Sequence, residues 1–153
     1  MFQPRCVSAD GASRPKSSLM NEPLRALLIR RPWIDMILDG QKTWEIRGAR
    51  TSVRGRIGLI ASRSGAVIGV CDLVDCVGPL SADAFRKNAK KAGMKPTEAT
   101  LGYYRQTYAW VLEKPRILKR PIPYQHPSGA VIWVRLDGKV EREILEQLAG
   151  RGR

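Results

Sequence analysis

The sequence predicts an α+β fold that is mainly β, namely a small, partly closed β-barrel with short α-helices against its flank. Three observations predict it. First, several short segments are apolar or alternate between apolar and polar residues, which is typical of strands. Second, apolar residues occur at helical spacing once early in the chain and once or twice in the middle. Third, the predicted strands and helices do not alternate regularly, as they would in a doubly wound sheet. The 153 residues can bury one core but hardly two, so we expect one domain.

The first two elements are a strand and a helix. Residues 24–29 (LRALLI) are apolar enough for a buried strand. Pro32 suits the first turn of a helix, and Gly40 provides its C-terminal stop. The apolar residues at helical spacing between them are Trp33, Ile34, Ile37 and Leu38.

A second strand follows over residues 42–47 (KTWEIR), where side chains alternate between two faces. We expect one face to join the core and the other to carry chemistry. The core-facing pair is Trp44 and Ile46, and the opposite set is Thr43, Glu45 and Arg47.

Residues 55–62 and 66–77 read as two strands joined by a tight turn at Ser64 and Gly65. Gly58 and Gly69 lie inside these strands. Interior glycines indicate bulges or barrel bends.

The middle of the chain is predicted to be helical. Ser81 is a good N-cap for a helix over residues 82–92, which ends at Gly93. Residues 97–105 are a candidate for another short helix. A group of lysines on or just after the first of these helices is typical of a solvated face: Lys87, Lys90, Lys91 and Lys95.

The last part of the domain holds two strands, residues 108–112 and 130–136, separated by a proline-rich stretch that must be extended or turning. Residues 141–149 resemble a terminal helix. We therefore divide the chain into a flexible lead-in (1–22), a folded domain (23–137), and a C-terminal helix with a basic tail (138–153).

The charge of the chain favours a polyanionic partner. There are 27 Lys and Arg residues against 14 Asp and Glu, giving a net charge of +13. Charge alone does not separate an RNA binder from a ribosome-associated protein, an anionic-membrane binder or a basic soluble protein. The excess is spread along the chain, so only folding decides whether it converges on one groove.

The remaining composition points to a reducing, non-membrane environment. Cys6, Cys71 and Cys76 form an odd set without a CxxC pair, which predicts neither a disulfide framework nor a zinc site. No apolar stretch approaches the roughly 20 residues that span a bilayer. We expect a cytoplasmic monomer with no membrane contact, no disulfide-linked partner and no cofactor.

The segment from Arg31 through Gly40-Gln41-Lys42-Thr43-Trp44-Glu45-Ile46-Arg47 resembles the signature of the ASCH family, a Gly-x-Lys-x-x-Glu-x-Arg motif after a short helix. The strands at residues 69–73 and 128–133 are also similar to that family, and the likeness covers roughly residues 24–136. The resemblance implies a PUA-like barrel with a cleft between barrel and helices. It also implies one of several roles: RNA or DNA binding, RNA cleavage, or removal of acyl groups from modified cytidine.

Read from chemistry, the motif suits a nucleic-acid ligand. Lys42 is a mobile cation for a phosphate, Arg47 can grip a phosphate through two hydrogen bonds, and Glu45 can accept from a base amino group. The alternative is that Glu45 and Arg47 pair with each other at the barrel mouth. The other expected contacts are Thr43, Arg31, Tyr124 and Ser128.

Catalysis is the alternative function, with Lys42, Glu45 and Ser128 as the candidate residues. RNA cleavage requires little more than a positioned phosphate, with a divalent ion such as Mg²⁺ as a helper. Asp72 and Asp75 are the nearest carboxylates to a metal pair, but on one strand they face opposite ways. His126 is a candidate proton carrier in the loop that precedes the last strand.

Deacylation fits less well. The acylcytidine-cleaving branch that the chain resembles uses a lysine, a threonine and an acidic residue. Lys42 matches, but Glu45 occupies the threonine's place and Asn88 or a neighbour that of the acid.

Two tryptophans are expected to be core residues rather than stacking platforms. Trp33 and Trp44 each lie on the apolar side of their element. We therefore expect substitution of Trp44 to cost stability. Substitution of Lys42 or Arg47 is expected to weaken binding and leave folding nearly intact.

Overall fold

A six-stranded mixed sheet dominates the computed structural model, which describes residues 22–150. The strands are β1 (Arg25–Ile29), β2 (Trp44–Arg47), β3 (Gly55–Ala61), β4 (Ala66–Val77), β5 (Tyr108–Pro123) and β6 (Trp133–Arg135). The described α-helices are α1 (Trp33–Leu38), α2 (Ala82–Lys87) and α3 (Gly138–Gly150), and 3₁₀ turns cover Ala89–Ala92 and Pro96–Glu98. The predicted lead-in up to residue 21 and the tail from residue 151 lie outside the described residues.

The strand order is β2-β5-β4-β3-β1-β6, with β1 and β3 parallel and the other neighbours antiparallel. The sheet curls into a half-barrel. Two contacts bring its distant strands together. Arg47 of β2 donates to the Leu28 carbonyl of β1 at 2.8 Å, and the Trp110 ring of β5 stacks on Trp133 of β6 with centroids 5.7 Å apart.

Three apolar clusters hold the fold together. The barrel interior packs α1 against β1, β3, β4 and β5. The outer face of the sheet packs against α3 through Val140, Ile144 and Leu148. A third cluster joins α2 and the following 3₁₀ turn to Trp44 and Ala109. Because α3 shares a core with the sheet, the boundary expected at residue 137 does not separate this helix from the folded domain.

The predicted α+β, mainly β architecture is confirmed, and several boundaries match. Helix α1 and strands β1, β3 and β4 lie where the apolar patterns predict them, whereas β2 begins at Trp44 rather than at residue 42. Gly69 lies at a bulge, where the register between β4 and β5 shifts. A Cβ at this position would approach the Arg116 carbonyl oxygen to 2.8 Å, so the strands meet there only because the residue is glycine.

Four further element predictions need correction. The helix expected over residues 82–92 is an α-helix only as far as Lys87, and a 3₁₀ turn covers Ala89–Ala92. The helix expected over 97–105 is replaced by a single 3₁₀ turn at Pro96–Glu98 followed by a loop. Strand β6 begins at Trp133 rather than at residue 130. The proline-rich stretch is not a connection, because β5 runs unbroken to Pro123. Strand β2 covers only the first four residues of β5, so the rest of β5 is an edge on that side and tolerates prolines.

The two cysteines of the described region are buried. Burial raises the pKa of the Cys71 thiol to about 12, with smaller contributions from the negative charges of Asp72 and Glu45. Within residues 22–150, no helix has the length and apolar character needed to cross a membrane.

Candidate functional site

A cavity of about 540 Å³ opens between one end of the half-barrel and the helical segment that follows β4. Its volume lies within the range of about 300–1,000 Å³ that is usual for small-ligand pockets. Three cationic and two acidic side chains line it: Arg30, Lys42, Arg47, Glu45 and Glu98. The motif that the sequence singled out therefore contributes to this cavity.

Lys42 is buried in the cavity floor and its ammonium group already has protein partners. The side chain is 3% exposed. Its Nζ donates to the carbonyl oxygens of Trp44 at 2.6 Å and Ala92 at 2.9 Å, and it lies 3.5 Å from Glu45 Oε1. Burial lowers the pKa of Lys42, while the charge and hydrogen bond of Glu45 oppose that shift. Lys42 is thus not the mobile cation that the sequence suggested.

Glu45 and Arg47 form a part-buried ion pair on β2. Arg47 reaches Glu45 Oε2 through Nε at 3.0 Å and Nη2 at 2.9 Å. Its Nη2 also donates to the Leu28 carbonyl, and its guanidinium carbon lies 5.7 Å from the centroid of the Trp110 ring. The ion pair between Glu45 and Arg47, which is the alternative interpretation of the motif, is therefore present. Arg47 joins β2 to β1 and fixes the Glu45 carboxylate.

Aromatic rings form much of the cavity wall. Trp33 lies with its ring centroid 5.2 Å from Lys42 Nζ. Tyr104 packs over Gly48, where a Cβ would come within 2.6 Å of the tyrosine ring. Tyr103 contacts Tyr104 edge to face with centroids 4.8 Å apart. The cavity thus combines a polar floor with an aromatic wall, which suits a flat polar ring better than a purely aliphatic ligand.

A family model for the ASCH domain matches residues 27–122, well over half of the chain. The chain belongs to the ASCH domain family. Lys42, Glu45 and Arg47 all lie inside the matched range, which agrees with the resemblance seen in the sequence.

Solved structures agree on the fold of this ASCH domain. It is similar to the crystal structure of ASCH from Zymomonas mobilis, with a TM-score of 0.62 and 18% identity, over 81% of this chain and 94% of that one. Structures of a serine-to-alanine and a tyrosine-to-phenylalanine variant of that protein match with TM-scores of 0.61 and 0.62, each at 18% identity. They cover 82% of this chain and 96% and 98% of theirs. No curated protein matches.

Two of the expected site residues lie outside the cavity. Thr43 precedes β2, is exposed and does not line the cavity. Arg31 is exposed and pairs with Asp35 one turn along α1. The neighbouring Arg30 lines the cavity in its place.

Tyr124, His126 and Ser128 form a separate region. They line a second cavity of about 430 Å³ beside the start of α3. The Tyr124 hydroxyl lies 2.8 Å from His126 Nδ1, and His126 Nε2 lies 2.9 Å from the Ala130 carbonyl. The structure therefore does not bring Ser128 to Lys42 and Glu45, and this loop lies beyond the residues that the family model matches.

The structure also places the two tryptophans and the lysine group for which the sequence made predictions. Trp44 is buried against the helical segment, as predicted, whereas Trp33 is only partly buried and faces the cavity. The lysines after β4 form an exposed face, as predicted: Lys87, Lys90, Lys91 and Lys95. The described residues include no cluster of His, Cys, Asp and Glu suited to a metal ion.

Sequence reasoning missed the aromatic wall. Tyr103 and Tyr104 lie in the loop that replaces the expected helix over 97–105. Two adjacent aromatic residues in a segment without apolar periodicity were the available signal, because binding residues are disproportionately found on loops.

Proposed function

We propose that this ASCH domain binds single-stranded RNA and that its cavity receives one unpaired base. The observation that carries the proposal is the combination of an aromatic wall with a fixed carboxylate in one cavity of about 540 Å³. Proteins that recognise unpaired RNA stack its bases on aromatic rings and hydrogen-bond their edges. Trp33 and Tyr104 supply rings, and Glu45 supplies the hydrogen-bond acceptor.

Glu45 is suited to accept from a base because only one of its oxygens is strongly engaged. Both contacts from Arg47 go to Oε2, whereas Oε1 has Lys42 at the longer distance of 3.5 Å. A carboxylate oxygen has two lone pairs, so Oε1 retains capacity for a base amino group. The carboxylate is held rigidly, which reduces the entropy lost on binding.

Phosphate contacts are assigned to exposed cations rather than to Lys42 and Arg47. Arg30 is exposed and lines the cavity. Lys90, Lys91 and Lys95 project from the segment whose Ala92 carbonyl accepts from Lys42. Together with the charge of +13, they supply the salt-sensitive part of the affinity.

The test is a fluorescence-anisotropy titration of a labelled, unstructured RNA at several salt concentrations. If about five phosphates are neutralised, the slope of log affinity against log salt is roughly −3.5, at about −0.7 per contact on a single strand. Arg30→Ala is expected to reduce that slope by about 0.7. Arg31→Ala, an exposed neighbour outside the cavity, serves as the matched control and is expected to leave the slope unchanged.

A slope near zero for the wild type contradicts the proposal. Equal affinity for single-stranded DNA of the same sequence shows that the 2′-hydroxyl is not read, which contradicts the assignment to RNA in particular.

RNA cleavage is a second candidate, favoured by one observation. Lys42 is a desolvated amine with a lowered pKa beside a carboxylate, an arrangement that is enriched at catalytic sites. Cleavage would place a 2′-hydroxyl near Glu45 as general base, with Mg²⁺ as the expected helper. The proposed cleavage reaction does not use Ser128, because this residue lines the other cavity.

Wild type and Glu45→Gln, assayed side by side, separate the two candidates. A binding role predicts altered base preference, about 1–3 kcal/mol per good base contact, with little turnover in either protein. A general-base role predicts rapid wild-type cleavage that Glu45→Gln lowers 10²–10⁴-fold. We expect no hydrolysis of acetylated cytidine, because Glu45 stands at the threonine's position and Asn88, which donates to the Ala84 carbonyl, is not an acid.

A further inference from the structure

Exposed apolar side chains are concentrated at the mouth of the cavity. In the part of the chain that the structure describes, the large hydrophobic residues that face solvent are Val74, Leu101, Tyr103, Ile117, Val131, Ile132 and Leu145. More than half of them fall in the two short segments 101–103 and 131–132. Both segments contribute to the cavity lining, through Tyr103 and Val131. We call these four residues, Leu101, Tyr103, Val131 and Ile132, the mouth patch.

The side chains of the mouth patch are exposed, but ring packing and a backbone hydrogen bond hold its two segments in place. Tyr103 is 83% exposed but rests edge-on against Tyr104. Tyr104 is in turn positioned by Gly48. On the other segment Val131 is 77% exposed, while the Ile132 carbonyl accepts from the Leu28 backbone N–H of β1 at 2.9 Å. The exposed rings and methyl groups are therefore presented on anchored backbone.

We propose that the mouth patch binds the base next to the one in the cavity, so that the recognised unit is at least a dinucleotide of single-stranded RNA. This inference rests on the proposed function. Tyr103 is the platform: its ring stacks on the second base, and Val131 and Leu101 contact the edges of that base. Stacking on an aromatic ring tolerates any base, so the mouth patch adds affinity without adding sequence preference.

The charge around the mouth patch favours a nucleic-acid strand over an apolar protein surface. The exposed Arg30 lines the same cavity, and the phosphate between two adjacent nucleotides would lie close to both bases and within reach of its guanidinium. The patch also has only four apolar residues, which is small for a stable protein interface of about 800 Å² per partner. A second copy of this chain would bring the same positive charge to the interface.

The experiment measures the binding of three kinds of ligand: nucleoside monophosphates, the matching dinucleotides and the matching hexanucleotides. Each ligand is tested with the wild type, Tyr103→Ala and Tyr103→Phe. Because Tyr103 also lines the cavity, the test compares ligands: Tyr103→Ala is expected to lose about tenfold more affinity for dinucleotides and hexanucleotides than for monophosphates. Tyr103→Phe retains the ring and is expected to bind like the wild type. Leu145→Ala removes an exposed apolar residue on α3, at the outer face of the sheet, and serves as the control.

The outcomes separate this inference from the proposed function. If the wild type binds RNA and Tyr103→Ala binds dinucleotides equally well, the mouth patch has no stacking role. If Tyr103→Ala loses affinity for monophosphates and for dinucleotides by the same factor, the residue acts only on the cavity and the inference is wrong. If the wild type self-associates in analytical ultracentrifugation and Tyr103→Ala does not, the patch is a contact between copies. If the wild type binds no RNA at all, the proposed function fails together with the inference.

Discussion

The floor and the mouth of the cavity use their side chains in opposite ways. On the floor, Lys42 is buried and Arg47 is partly buried, and both donate hydrogen bonds to Glu45 or to backbone carbonyls. At the mouth, Arg30 and Tyr103 are exposed. The difference teaches that the charged residues of the ASCH motif build the cavity floor, whereas other residues face the solvent at its mouth. Substitutions on the floor should therefore cost stability, and those at the mouth should cost affinity.

The largest expected effect lies directly behind the floor. Trp44 packs into the cluster that joins β2 to the helical segment, and Lys91 Nζ lies 5.3 Å from its ring centroid. Trp44→Ala is expected to lower the free energy of unfolding by about 3–5 kcal/mol, because it leaves a cavity in that cluster. Urea denaturation measures this change in the free energy of unfolding. Tyr103→Ala is the counterpart at the mouth and is expected to stay within about 0.5 kcal/mol of the wild type. Equal stability of the Trp44→Ala and parent proteins would refute the assignment of Trp44 to the core.

Arg47→Ala tests whether the ion pair of the floor is structural. The change leaves the Glu45 carboxylate without its strongest partner and removes the bond from β2 to the Leu28 carbonyl. We expect a loss of about 3 kcal/mol in the free energy of unfolding, as for breaking a buried pair. Arg31→Ala breaks the exposed pair with Asp35 and is expected to cost about 0–1 kcal/mol. This expectation replaces the one drawn from sequence, that Arg47→Ala leaves folding nearly intact. A similar small cost for both variants would restore the sequence-based view.

Lys42 makes the free energy of unfolding depend on pH. In the unfolded chain its pKa is near 10.5, and burial lowers the pKa in the folded protein. Between those two pKa values the unfolded state binds more protons, so the free energy of unfolding rises with pH. Lys42→Met removes this contribution. The stability of the wild type relative to Lys42→Met is therefore expected to increase as pH rises towards 10.5. A relative stability that falls over this range would show that the ion pair with Glu45 outweighs burial.

Elements with a strong apolar pattern could be predicted from the sequence, and elements decided by tertiary contacts could not. Helix α1 and strand β4 follow directly from the spacing of their apolar residues. Strand β5 could not be extended to Pro123 from sequence, because prolines argue against a strand unless one edge is open, and only the sheet order shows that.

The sequence motif predicts which residues share the candidate cavity better than it predicts the contacts that they make there. The motif placed Lys42, Glu45 and Arg47 together because they are close in sequence. It did not show that Lys42 meets the Ala92 carbonyl, a contact across 50 residues. Tyr124 and Ser128 were added because loops over a barrel often carry function, but they line a different cavity. Sequence proximity could not reveal which loop reaches the floor.

Ultraviolet cross-linking followed by mass spectrometry tests most directly whether RNA binds where the structure suggests. Wild-type protein is irradiated with a short single-stranded RNA, and the modified residues are mapped. The account predicts that cross-links concentrate at the cavity, on Trp33, Tyr103 and Tyr104, and that excess competitor RNA removes them. Cross-links confined to Tyr124 and His126, or spread over the lysine face at residues 87–95 without any at the cavity, would contradict it.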